Sequence, residues 1–165
     1  MSEEILALKF RPRNFNQVIG QESTIRDLQA ALEKGTVSHA LIFAGTRGTG
    51  KTTTARILAK ALNCLDRDGT EPCNACNSCL SIDAGKSAAV LEIDAASNNG
   101  IEDVRSVIEK TNYSTLGDGK NRVVIMDEAH ALSKNSFNAL LKTLEEPPKN
   151  VYFILATTES SKLPA

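Results

Sequence analysis

Eight residues constrain this chain more than any others: Gly45-Thr46-Arg47-Gly48-Thr49-Gly50-Lys51-Thr52. The apolar run His39 to Ala44 precedes them and reads as a buried strand. Lys51 to Asn63 follows and reads as a helix, with Ala55, Leu58, Ala59 and Leu62 on one stripe. A strand, a glycine loop and a helix in this order let successive backbone N–H groups wrap an anion. The helix N-terminus adds partial positive charge at the same place. The pattern predicts a phosphate-binding loop, with Lys51 reaching the β- and γ-phosphates of a nucleoside triphosphate and the Thr52 hydroxyl holding Mg²⁺. Thr46, Arg47, Gly48, Thr49 and Thr53 are counted with Gly45, Gly50, Lys51 and Thr52 as nucleotide-binding.

A second motif supports the first. Val123 to Met126 is apolar and ends in Asp127-Glu128. Carboxylates at the C-terminal edge of a parallel strand face the crevice where open α/β sheets take ligands. Asp127 is expected to hold Mg²⁺ through water, and Glu128 to polarise the water that attacks the γ-phosphoryl group. The run Asp127-Glu128-Ala129-His130 leaves two roles for His130, a phosphate-coupling residue or an ordinary polar residue of the next segment, and the second is preferred. Ala156-Thr157-Thr158 ends the last strand with two hydroxyls. Thr158 is favoured over Thr157 as the group that senses the γ-phosphate.

The remaining pattern alternates. Helices are expected over Glu22 to Lys34, Ile101 to Thr111 and Lys134 to Glu146, and strands over Ala89 to Asp94, Arg122 to Met126 and Val151 to Thr157. Residues 1–20 read as irregular. Nearly all-apolar strands alternating with helices predict an α/β fold with a parallel sheet covered on both faces. At 165 residues the chain fits one domain. No apolar run reaches the ~18 residues of a membrane span, and the acidic opening Met1-Ser2-Glu3-Glu4 has no signal-peptide pattern after it; a cytoplasmic address is expected. The net charge of −1 argues neither for nor against nucleic acid. A small basic group, Lys9, Arg11 and Arg13, is the one candidate patch near the start.

All four cysteines fall within residues 64–79, as Cys64-x8-Cys73-x2-Cys76-x2-Cys79. In a reducing compartment such clustering favours a metal over disulfides. Four thiolates suit a closed, tetrahedral Zn²⁺ site with a structural role; an iron–sulfur cluster is the other thiolate chemistry. Residues 64–79 read as an insertion with no core of its own.

These motifs, with Lys9-Phe10-Arg11-Pro12, Val18-Ile19-Gly20-Gln21, Glu92-Ile93-Asp94-Ala95-Ala96-Ser97 and the stretch from Ser136 to Pro148, resemble the τ/γ-subunit family of the bacterial DNA polymerase III clamp loader, a branch of the AAA+ ATPases. The resemblance covers the whole chain. It implies one AAA+ nucleotide-binding domain over residues 1–165, with strand order 5-1-4-3-2, strand 5 missing, and residues 64–79 as its zinc-binding insertion. It implies that Arg11, Pro12, Val18 and Ile19 line the adenine pocket, and that Ser97 to Arg105 lies near DNA. The implied work is ATP-driven opening of a sliding clamp and its loading onto primer–template DNA. The implied partners are other clamp-loader subunits in a pentameric ring, the clamp, the DNA, and polymerase and helicase through regions outside this chain. Family members continue past Leu163-Pro164 into a Ser-Arg-Cys motif, strand 5, a helical lid and a collar. The resemblance therefore implies a piece of a longer polypeptide, with negligible hydrolysis on its own and His39 to Ala44 left as a sheet edge.

Two other classes compete. A helicase would share Asp127 to His130 but needs a second nucleotide-binding domain and lacks this cysteine pattern. A non-catalytic scaffold would have a decayed phosphate loop, whereas Gly50, Lys51, Thr52, Asp127 and Glu128 are all intact.

Overall fold

The computed structural model describes residues 10–112 and 121–163. Lys9 of the basic group, the acidic opening Met1 to Glu4 and Pro164 lie outside the described residues. Among the described residues, four parallel strands form one sheet: β1 (Ala40–Ala44), β2 (Val90–Asp94), β3 (Arg122–Asp127) and β4 (Val151–Thr157), in the order β1-β4-β3-β2. This is the expected order without its fifth strand. Five α-helices of the described residues accompany it: α1 (Glu22–Lys34), α2 (Lys51–Asn63), α3 (Asn77–Asp83), α4 (Ile101–Thr111) and α5 (Lys134–Glu145).

Strand periodicity divides the core into two layers even where every residue is apolar. Val123 and Ile125 of β3, with Ile154 of β4, join Ile25, Leu28, Leu32 and Leu58 from α1 and α2. Val124 and Met126, with Phe153 and Leu155, join Val104 and Val107 of α4 and Phe137 and Leu140 of α5 on the other face. Successive side chains of a strand point to opposite faces, so a strand buried on both sides must be apolar throughout. The edge strand β1 differs. It pairs only with β4 among the described residues, and Ile42 is 57% exposed.

Helix ends follow local chemistry. Gly35, with φ 66°, stops α1 in the left-handed conformation that glycine adopts cheaply. At α5 the Ser133 side chain accepts the Ser136 N–H at 3.1 Å. Two elements depart from the expected pattern. Residues 15–17 form a 3₁₀ turn in the stretch read as irregular, with Phe15 buried at 1% exposure. The cysteine segment runs into α3, whose Ser78, Cys79 and Ile82 are buried. That segment is therefore seated on the domain rather than standing off it, because α3 packs along α2.

Candidate nucleotide and metal sites

The phosphate loop leaves β1 where Gly45 N–H donates to the Thr157 carbonyl at 3.2 Å. Gly48 and Gly50 hold φ values of 84° and 79°, a region costly for a residue with a Cβ. The loop is braced by the Thr49 hydroxyl, which donates to the Thr46 carbonyl at 2.8 Å. The Lys51 ammonium spans the loop and donates to the carbonyls of Gly45 and Thr46, each at 2.9 Å.

Three strand ends meet this loop. The parallel register places Ala44 beside Thr157 and Asp94 beside Asp127, so their following residues crowd one edge of the sheet. The Thr52 hydroxyl donates to Asp127 Oδ2 at 3.1 Å, while Asp127 Oδ1 accepts the Glu128 N–H at 3.0 Å. A hydroxyl and a carboxylate this close form a ready oxygen pair for a hard divalent cation. Arg47, Lys51, Thr52, Asp94, Asp127 and Glu128 line a cleft of about 390 Å³. A second cleft of about 680 Å³ shares Gly48, Gly50 and Thr53 with it and is walled by Phe10, Arg11, Pro12, Val18 and Ile19. Phe10 and Ile19 are 74% and 91% exposed, so apolar surface stands open beside the phosphate loop.

Glu128 occupies the left-handed region at φ 53°, unusual for a non-glycine residue. Its carboxylate Oε2 lies 3.3 Å from His130 Nε2. His130 Nδ1 lies 2.9 Å from the Thr157 hydroxyl, and Nε2 lies 3.5 Å from Glu159 Oε2. The Glu159 N–H also donates to the Thr157 hydroxyl at 3.0 Å. A hydrogen bond from Lys162, and its charge, hold the Glu159 carboxyl below its ordinary range. His130 thus belongs to the acidic site, although the sequence favours an ordinary polar role for it. Glu159 was missed altogether, and Asp94 entered only through the resemblance. All three depend on neighbouring strands ending together, which no local spacing reports. Thr157 is buried within this network, and Thr158 lies half-buried one residue beyond it.

The four cysteines converge independently. Their sulfurs all lie within 4.8 Å of one another, and all four are free thiols. Tetrahedral thiolates around one Zn²⁺ would have sulfurs about 3.8 Å apart, so modest contraction meets the need. Backbone N–H groups already point at sulfur: Cys73 to Cys64 at 3.3 Å, Cys76 to Cys73 at 3.2 Å and Cys79 to Cys76 at 3.4 Å. Such bonds offset thiolate charge around a metal. Desolvation would raise the Cys76 pKa, but hydrogen bonds from Leu65, Cys79 and Cys73 outweigh it and lower it to about 6. Burial pushes the Cys79 and Cys64 thiols up. Four sulfurs this close, with Cys76 held low by its hydrogen bonds, fit a set that gives up its protons to an ion.

Among the described residues no helix is long and apolar enough to cross a membrane. The chain is 48% identical over 164 residues to DNA polymerase III subunit tau of Escherichia coli K12, covering 99% of this chain and 25% of that protein. It is 49% identical over 164 residues to the tau subunit of Bacillus subtilis 168, covering 99% and 29%. The chain therefore spans between a quarter and a third of the length of these relatives. A solved structure of the Thermotoga maritima RuvB Holliday junction branch migration motor shares the fold, with TM-score 0.55 and 23% identity over 94% of this chain and 44% of that one. The family model described as DNA polymerase III, delta subunit matches residues 20–165. By that match the chain belongs to the DNA polymerase III delta-subunit family, with the tau subunits as its similar relatives.

Proposed function

We propose that this chain is the nucleotide-binding part of a clamp-loader ATPase of DNA polymerase III, using ATP to open a sliding clamp and load it onto primer–template DNA. The observation that carries this is the convergence of Lys51, Thr52, Asp127 and Glu128 on one cleft beside an open apolar wall.

The residues divide the work. Gly45 to Thr53 would cradle the phosphates, and Lys51 would exchange its two loop carbonyls for β- and γ-phosphate oxygens. Thr52 and Asp127 would hold Mg²⁺, directly and through water respectively; when bound, that ion supplies positive charge to the developing phosphoryl transition state. Glu128 would orient and deprotonate the attacking water, with His130 fixing the carboxylate's direction. Thr158 is proposed as the γ-phosphate sensor, and Thr157 supports it through His130 and Glu159. Arg11, Pro12, Val18 and Ile19 would enclose the adenine. The cysteine set over residues 64–79 would hold one structural Zn²⁺.

Partners are inferred from the relatives' role as DNA polymerase III subunits. The proposed ones are other subunits in a pentameric ring, the clamp, primed DNA with Ser97 to Arg105 near it, and polymerase and helicase through regions outside this chain. The proposed setting is cytoplasmic. A neighbouring subunit's arginine would complete the site, and such an arginine is worth ~10³–10⁵ in rate. Without that neighbour, this chain alone should therefore turn Mg-ATP over negligibly.

In an assembly-competent full chain, Lys51→Ala should abolish ATP binding. Glu128→Gln should keep binding and lower single-turnover hydrolysis by ~10²–10⁴, the usual worth of a general base. Equal loss of binding in both variants refutes the division of roles. Elemental analysis should find one zinc per chain, lost in Cys76→Ser; iron, or no metal in protein purified without chelator, refutes the zinc assignment.

A further inference from the structure

The apolar wall of the larger cleft, residues 10–19, contains no regular structure beyond the 3₁₀ turn Phe15–Gln17. That turn has Asn14 at its N-cap position, with no side-chain cap from it. The missing cap comes from the cysteine segment. Glu71 lies between Cys64 and Cys73 and is presented by a tight turn closed by paired backbone bonds between Asp68 and Glu71, at 3.1 and 2.9 Å. Its carboxylate accepts the Phe15 N–H at 2.9 Å and the Asn16 N–H at 3.2 Å. Asn74, between Cys73 and Cys76 and in the left-handed region at φ 60°, donates through its side chain to Asn14 Oδ1.

A third tie runs through the protein interior. Lys60 lies on α2, only 1% exposed, with its ammonium donating to the Arg13 carbonyl at 3.0 Å and Asn74 Oδ1 at 2.7 Å. Asp83 of α3 completes its surroundings at 3.1 Å. A buried ammonium must keep such partners, so it fixes their relative positions. Arg13 through Lys60 and Asn74, Asn14 through Asn74, and Phe15 and Asn16 through Glu71 are thus each tied to the cysteine segment, and Gln29 of α1 donates to Glu71 Oε1 at 3.3 Å from the other side.

We propose that the cysteine module positions the base-side wall of the nucleotide cleft, with Glu71, Asn74 and Lys60 as positioning residues, so that ion occupancy and nucleotide affinity are coupled. The proposal rests on reading the cleft as an ATP site. An ion on the four sulfurs would fix the turns that carry Glu71 and Asn74. Without it, residues 10–19 occupy the wall position for a smaller fraction of the time, and apparent affinity falls by that fraction. The phosphate loop, anchored to β1, β4 and α2, should be indifferent. Linkage also makes the effect reciprocal: bound nucleotide should slow loss of the ion.

The test uses the full chain in its metal-loaded form and two probes, Mg-ATP and Mg-tripolyphosphate, the second lacking base and sugar. Glu71→Ala removes the cap without touching a thiolate and should weaken ATP binding about tenfold while leaving tripolyphosphate unchanged. Glu71→Gln, which keeps one accepting oxygen, should fall between. Stripping the ion from wild-type protein with a chelator should reproduce the Glu71→Ala affinity, and both should speed amide exchange at Phe15 and Asn16. ATP affinity unchanged in a folded Glu71→Ala protein overturns the proposal, as does equal weakening of both probes. Should Glu71→Ala not fold, Glu71→Gln and the chelated wild type decide by the same two criteria. Wild-type protein that binds no ATP at all instead defeats the nucleotide reading beneath it.

Discussion

The two ends of the cleft are built by opposite means. The end proposed for the phosphates stands on regular structure: β1 and β3 deliver the loop and Asp127, and α2 begins within the loop. Its contacts include one short-range brace, Thr49 to Thr46, and one strand-to-helix bond, Thr52 to Asp127. The end proposed for the base is a strap of irregular chain held from behind by Phe15, Glu71 and Lys60. Rigid elements fix position by many weak contacts, so losing one moves little. A strap depends on few anchors, and each should carry a large effect.

Phe15→Ala tests that contrast most severely. Removing a fully buried aromatic ring costs ~3–5 kcal/mol, and denaturant unfolding of the full chain should show a loss in that range. A loss below ~1 kcal/mol would mean that the strap is not anchored through Phe15. Lys60→Met should cost about 3 kcal/mol, the low end for breaking a buried ion pair, since Asp83 keeps some access to water. Thermal unfolding reads this directly, and a stabilised Lys60→Met protein would show Lys60 to be dispensable as an anchor. Ser133→Ala sharpens the comparison from the other side. It removes the α5 cap, which lines neither cleft, and should cost ~1 kcal/mol with ATP affinity unchanged by calorimetry.

The same contrast explains what could be read from the sequence. The phosphate end is contiguous motif, so Gly45 to Thr52 and Asp127-Glu128 were visible at once. The boundaries of α1, α2 and α4 fell on their expected residues because Gly35 and Gly50 and the apolar periodicity mark them locally. The base end was legible only in outline, by resemblance. Nothing near Phe15 announces that it is buried, since the core cluster it joins is drawn from α1, α2, β3 and β4 and its backbone is capped from residue 71. Lys60 reads as a solvated lysine on a helix until Arg13, Asn74 and Asp83 are brought around it. His130 and Glu159 were obscure for the same reason: they meet only because β3 and β4 are neighbours. The helix α3 was hidden by its cysteines, which read as ligands rather than as a helix start.

The edge position of β1 has a consequence for biosynthesis. Its sole partner among the described strands is β4, so Ala44 must wait for Thr157, about 110 residues later, before its ladder can close. At typical ribosomal speeds of ~5–20 residues per second, that delay is on the order of ten seconds. During it the phosphate loop has been synthesised but β1, from which it hangs, has no partner, and Leu41-Ile42-Phe43 is an unpaired apolar edge available to chaperones or to other nascent chains. Local bonds such as Thr49 to Thr46 can brace the loop at this stage, but the bond from Gly45 N–H to the Thr157 carbonyl, which ties it to the sheet, forms only when β4 arrives.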